Sequence, residues 1–221
     1  MIITCLGHAE FLVELEDGTR IVIDPCDASC GYPVHSVKAD VVLVSHGHHD
    51  HCAVENVVGD PCVIDKAGMY DAAPGVRIRA VSAWHDEVQG AKRGATLMFV
   101  IEADGLRVCH VGDLGHMPDE AQLAAVGAVD LLMLPVGGFY TIDAKTAAAV
   151  AEKMQARVIL PMHYRTQYNA DWPIAPVDDF LALYLKRDCI HQPLLRVTAQ
   201  DIMCLKPVVV LDALPKAQSF F

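Results

Sequence analysis

Short runs of apolar and β-branched residues, several alternating with polar ones, fill the first half of the chain and predict strands. Ile2 to Leu6, Glu10 to Leu15 and Arg20 to Asp24 read this way, and Glu16-Asp17-Gly18-Thr19 marks a hairpin between the last two. Val41 to Val44 is an unbroken β-branched and leucine run ending at Ser45, as in a strand buried on both faces. Further strands are expected at Cys62 to Asp65, Val76 to Ala83, Thr96 to Ala103 and Arg107 to Val111, with Asp104-Gly105 turning the last pair. This half should be mostly antiparallel sheet.

The texture changes at Pro118. Helical spacing at Asp119 to Val126, a buried strand at Asp130 to Pro135, an Ala-rich helix at Asp143 to Ala156 and a buried strand at Val158 to Pro161 alternate in that order. Gly137-Gly138 breaks the chain, and Asp143 is placed to cap the helix that follows. Val177 to Lys186 predicts another helix and Val208 to Asp212 a closing strand. With no internal linker or repeat, a single domain over residues 1–221 is expected, two sheets each flanked by helices.

At 221 residues and 53% hydrophobic content the chain can bury a large core. Its net charge of −11, with 17 Lys plus Arg, argues against nucleic acid or an anionic membrane as the main partner and favours a small-molecule substrate. Met1 leads straight into a strand-like segment without a basic, apolar leader, and no run is long enough to span a bilayer, so a cytoplasmic protein is expected. The eight cysteines have no repeated spacing and read as reduced thiols; Cys26-x-x-x-Cys30 lacks the partner pair a structural zinc site needs. A homo-oligomer is compatible with this composition.

The chemistry concentrates in Ser45-His46-Gly47-His48-His49-Asp50-His51, an H-x-H-x-D-H pattern of imidazoles and a carboxylate on the loop leaving a buried strand. These are ligands that borderline divalent ions prefer, and Gly47 is expected to let the backbone turn tightly between them. Two metal ions need more donors than one loop supplies. Further donors recur where later apolar strands stop: His85-Asp86, Gly112-Asp113, and His163 in Pro161-Met162-His163-Tyr164.

This order of motifs resembles the metallo-β-lactamase fold superfamily over residues 1 to about 165. Val108-Cys109-His110-Val111-Gly112-Asp113, Leu134-Pro135-Val136-Gly137-Gly138 and Ile159 to Tyr164 are similar to its branch of compact metal-dependent hydrolases, which includes ascorbate-6-phosphate lactonase-like proteins. The resemblance implies an α+β (α/β) architecture, a four-layer αβ/βα sandwich of two mixed β-sheets flanked by helices, with metals at one edge. It further implies that His46, His48 and His85 hold one ion, Asp50, His51 and His163 a second, and that Asp113 bridges them. The cofactor expected is two divalent metal ions, zinc foremost, with manganese or iron(II) also compatible.

Around these, His49 reads as a rim residue, and Asp86 as either an orienting partner of His85 or a solvated acid. His110 reads as a cleft or catalytic residue, or as a hydrogen-bonded core histidine. His8 is only loosely similar to a near-site His of the superfamily. Tyr140, Thr141, Arg165 and Trp172 lie beside expected ligand loops, and Tyr164-Arg165 is a candidate clamp for an anionic substrate. The implied chemistry is hydrolysis of a small ester, lactone or phosphodiester by a metal-bridging hydroxide, with Asp50 managing a proton. A non-catalytic metal-dependent binding or regulatory protein on the same fold, and a mononuclear enzyme, remain the alternatives.

Overall fold

The computed structural model describes residues 1–215. The last six positions of the expected domain, 216–221, lie outside the described residues. In chain order the strands are β1 (Ile2–Gly7), β2 (Glu10–Glu14), β3 (Arg20–Ile23), β4 (Val37–Lys38), β5 (Val41–Leu43), β6 (Val57–Val58), β7 (Cys62–Ile64) and β8 (Gly68–Ala73). They continue as β9 (Val76–Trp84), β10 (Ala95–Ala103), β11 (Leu106–His110), β12 (Leu131–Pro135), β13 (Val158–Met162), β14 (Cys189–Gln192), β15 (Leu195–Arg196) and β16 (Val208–Leu211). The helices are α1 (Glu120–Val126), α2 (Ala144–Lys153) and α3 (Val177–Leu181).

Two mixed sheets result. One has six strands in the order β15-β1-β2-β3-β5-β7, the other eight in the order β14-β16-β13-β12-β11-β10-β9-β8. Alternation along each strand sorts the side chains between them. Ile21 and Ile23 join Phe11, Val41, Leu43, Phe99, Ile101, Val108, Met133 and Leu160 in the core between the sheets. Val22 between them faces the other way, with Leu12, Val42 and Val44. The outer face of the larger sheet, through Met98, Val100, Cys109, Leu132 and Leu134, packs on Ala147, Val150 and Ala151 of α2 and Phe180 of α3.

Local signals explain the edges of these elements. Asp119 caps α1 in a reciprocal capping box with Gln122, and the Asp143 carboxylate accepts from Thr146 N at 2.8 Å to start α2. Asp104 and Gly105, at φ 53° and 71°, make the tight turn between β10 and β11.

The first half is mostly antiparallel as expected, with β3, β5 and β7 running parallel to one another. One expectation changes: the helix expected over Val177 to Lys186 ends at Leu181. On the outer face of the smaller sheet the 3-10 turn at Val54–Asn56 and the two-stranded β4–β6 ribbon pack through Val37, Val54 and Val57.

Strand direction decides where the chemistry falls. β1 is antiparallel to β2 and β2 to β3, so β1, β3 and β5 share one direction. β9 and β11 flank β10 antiparallel to it, and β11, β12 and β13 are parallel, so β9, β11 and β13 share another. The carboxyl ends of these strands thus lie at one edge of each sheet, where open sheets present side chains to ligands.

Candidate metal centre

Every donor emerges from one of those strand ends: His8 after β1, the 46–51 loop after β5, His85 after β9, Asp113 after β11 and His163 after β13. Asp113, buried, is the hub. Its Oδ2 lies 3.2 Å from His85 Nε2, 3.3 Å from His163 Nε2 and 3.9 Å from His46 Nε2, while Oδ1 is 3.3 Å from His51 Nε2. Asp50 Oδ2 is 3.5 Å from His8 Nε2 and 3.7 Å from His51 Nε2. The donor atoms of His46, His48 and His85 lie within 4.8 Å of one another, and so do those of His8, Asp50, His51 and His163 and those of His46, His51 and Asp113.

The donor set fits divalent cations. Zinc–nitrogen bonds of about 2.0–2.1 Å in a tetrahedron put ligand atoms about 3.3 Å apart, the spacing seen around Asp113. His8 Nε2, His51 Nε2 and Asp113 Oδ1 are buried without a hydrogen-bond partner, and His46 Nε2 faces His48 Nδ1 at 3.0 Å. Buried polar atoms left so are rare, and a cation among them satisfies all at once.

Asp24, at the end of β3, holds this arrangement from behind. Its carboxylate accepts from Ser45 N at 2.7 Å, from Ser45 Oγ at 2.6 Å and from His51 Nδ1 at 2.9 Å. Ser45 Oγ in turn lies 2.9 Å from His46 Nδ1. With Nδ1 anchored on both rings, the Nε2 lone pairs point inward, as metal-binding imidazoles require. His8, Asp24 and His163 all have φ near +50°, at 51°, 47° and 51°, a region non-glycine residues rarely adopt and one that clusters at functional sites.

Electrostatics divides the imidazoles. Burial, reinforced by His163, pushes the His8 pKa down to about 4, and burial together with His51 takes His46 to about 3, so both offer neutral lone pairs at pH 7. At His51 burial works the same way, but Asp113 and Asp24 outweigh it and hold the imidazolium well above the ordinary range.

A cavity of about 340 Å³ opens over the cluster, lined by His48, His49, Asp50, His85, Arg93, Asp113, Tyr140, His163 and Trp172. The family model for the beta-lactamase superfamily domain matches residues 2–163, the span that carries every donor. A "UPF0173 metal-dependent hydrolase" of Thermococcus onnurineus is 33% identical over 78% of this chain and 86% of its own length. The chain belongs to the metal-dependent hydrolases of the beta-lactamase superfamily.

Solved structures agree with the fold. The crystal structure of a proposed Zn-dependent hydrolase of the metallo-beta-lactamase superfamily from Thermotoga maritima superposes with a TM-score of 0.76 at 39% identity, covering 96% of this chain and 98% of that one. An isothiocyanate hydrolase from Delia radicum gut bacteria shares the fold at 12% identity, with a TM-score of 0.67 over 95% of both chains.

All seven donors expected from the superfamily pattern, His46, His48, Asp50, His51, His85, Asp113 and His163, come together. Other expectations shift. His110 is fully buried, with Nε2 3.0 Å from Ala9 O and Nδ1 accepting from Gly112 N at 3.1 Å. Neither nitrogen is left to face a substrate, so the catalytic role expected of it gives way to the hydrogen-bonded core reading. Asp86 is no solvated acid: buried, it accepts four backbone N–H groups of the loop after His85. Tyr164 and Arg165 line a neighbouring cavity that shares only His8 with the donor cluster. Gly47 has no left-handed φ, and its surroundings are open. Sequence reasoning missed Asp24 and Arg93 and undervalued His8, although Asp24 ends an apolar strand as Asp113 does.

Proposed function

We propose that this member hydrolyses a small ester, lactone or phosphodiester, with His46, His48 and His85 holding one divalent ion, Asp50, His51, His163 and His8 a second, and Asp113 shared between them. Zinc, manganese and iron(II) all suit these donors. When bound, such ions would turn a bridging water into hydroxide at neutral pH and polarise the oxygen of the scissile group. The protein's own part is to fix the donors and manage protons. Asp24 and Ser45 set the tautomers of His51 and His46. Hydrolysis forms a bond from the attacking oxygen to the acyl carbon or phosphorus and breaks the one to the leaving oxygen, which takes up a proton. Asp50, which lines the cavity wall, is the group we assign to that proton. His110 is a positioning residue that ties β11 to Ala9 and Gly112.

The observation that carries this reading is the convergence of imidazole nitrogens from both sheets, those of His51, His85 and His163, on buried Asp113 beneath an open cavity. Metal-loaded protein screened against lactone, thioester and bis-p-nitrophenyl phosphate panels should turn over at least one class, and His48→Ala should lose that turnover. Activity absent throughout, or equal in the variant, would favour a binding protein. We further read residues 1–221 as one domain.

A further inference from the structure

The cavity contains a group that binding metal does not call for. Arg93 is the one Lys or Arg in its wall, half-buried, and among the described residues no carboxylate pairs with it. The side chain is nonetheless held in place: Nη2 donates to Phe139 O at 3.1 Å, and Cζ lies 5.6 Å from the centre of the Tyr140 ring. Tyr140 in turn meets Trp172 edge-on, centroids 6.1 Å apart.

The backbone beneath it is held as firmly. The Asp86 carboxylate, 1% exposed, accepts from Val88 N and Gly90 N through Oδ1 and from Lys92 N and Arg93 N through Oδ2, all at 2.7–2.9 Å. One buried acid thus shapes the loop that leaves the donor His85 and delivers Arg93 to the same cavity. Lys92, the neighbouring cation, is spent on Glu87 at the surface. A partly desolvated guanidinium without a counter-ion is costly, and with one Nη2 hydrogen given to Phe139 O the other still forms, with Nε–H or with an Nη1 hydrogen, a fork that matches a pair of anionic oxygens. In a protein of net charge −11, that placement selects for a ligand rather than for bulk charge.

We propose that Arg93 is the specificity-determining residue of the site: it binds an anionic oxygen pair, carboxylate or phosphate, on a substrate whose apolar body packs against Tyr140 and Trp172. The substrate class is therefore an anionic ester or lactone, a conclusion that rests on the hydrolytic reading above.

Two arms test it. In the first, kcat/KM is measured on metal-loaded protein with mono-4-nitrophenyl succinate and with neutral 4-nitrophenyl butyrate. Arg93→Met should lower the value for the succinate ester about 10- to 100-fold and leave the butyrate unchanged, with partial recovery in Arg93→Lys. Equal losses on both esters, or none on either, overturn the proposal. The second arm needs no catalysis: metal-free protein carrying Trp84→Phe, so that Trp172 alone emits, is titrated with phenylacetate, benzylphosphonate and neutral phenylacetamide. The two anions should shift the emission, the more effective one identifying the preferred headgroup, and Arg93→Met should abolish the shift. An unchanged response in that variant, or none in the parent, sinks the proposal. If neither ester is cleaved by the parent protein, ester hydrolysis is what fails and the titration decides Arg93 alone.

Discussion

Asp24 sits behind the ligands and touches two of their supports, so its charge matters more than its volume. Asp24→Asn keeps the shape but replaces one accepting oxygen with a donor, opposing either Ser45 or the His51 Nδ1 hydrogen. We expect metal affinity to fall about 10- to 100-fold with the fold retained, read by competition against a chromophoric chelator. Glu10 shows the opposite electrostatics. Burial, with help from Asp24, raises its pKa from 4.5 to about 8, although Cys26 donates to it from N and Sγ. The fold therefore holds a proton that the unfolded chain has released. Stability from this group is complete below about pH 4.5 and is lost as pH rises toward 8. Glu10→Gln should unfold at a higher temperature than the parent at pH 8 and at nearly the same temperature at pH 4.5, both metal-free. An identical difference at the two pH values would refute the assignment.

At the level of elements, the loops after β9 and β11 meet at Gly115, where a Cβ would lie 2.3 Å from the carbonyl carbon of His85 and from Asp86 N. Gly115→Ala must push His85 away from Asp113, and we expect metal binding weakened by about tenfold or more, with a lower melting temperature. Gly47→Ala, inside the ligand run itself but with nothing within 4 Å, should bind metal as the parent does. Isothermal titration of both variants with zinc separates them. This contrast also marks what the chain reveals before it folds. The ligands were legible because each follows the end of an apolar strand, and the Asp143 cap and the Asp104-Gly105 turn because local chemistry sets them. Asp24 was not, since its partners Ser45 and His51 stand 21 and 27 residues away and only the parallel pairing of β3 with β5 brings them together. Arg93 escaped for a similar reason: the Asp86 cradle that aims it consists of backbone N–H groups, which carry no sequence signal. The two-residue strands β4, β6 and β15 were too short to show a period.

Across the whole molecule, the metal centre straddles the seam between the sheets. His8 and the 46–51 loop belong to the smaller sheet, His85, Asp113 and His163 to the larger, and the core between them is continuous from Ile3 to Leu211. A cation held by donors from both sheets binds only when the two are docked, so it stabilises the docked state by mass action. At a thousandfold excess over its dissociation constant this is worth about 4 kcal/mol, which for a chain of this size corresponds to a rise of roughly 8–16 °C in melting temperature. Stripping the metal with a chelator should reverse that rise, and re-addition of zinc should restore it. In a Trp172→Phe variant the fluorescence of Trp84, which ends β9, reports the larger sheet alone, whereas far-ultraviolet circular dichroism reports strands of both sheets. If residues 1–221 form one domain, the two signals should melt together with metal and without it. Two separated transitions in the metal-free protein would mean that the sheets are distinct folding units joined chiefly by the ions, and the single-domain reading would then be wrong.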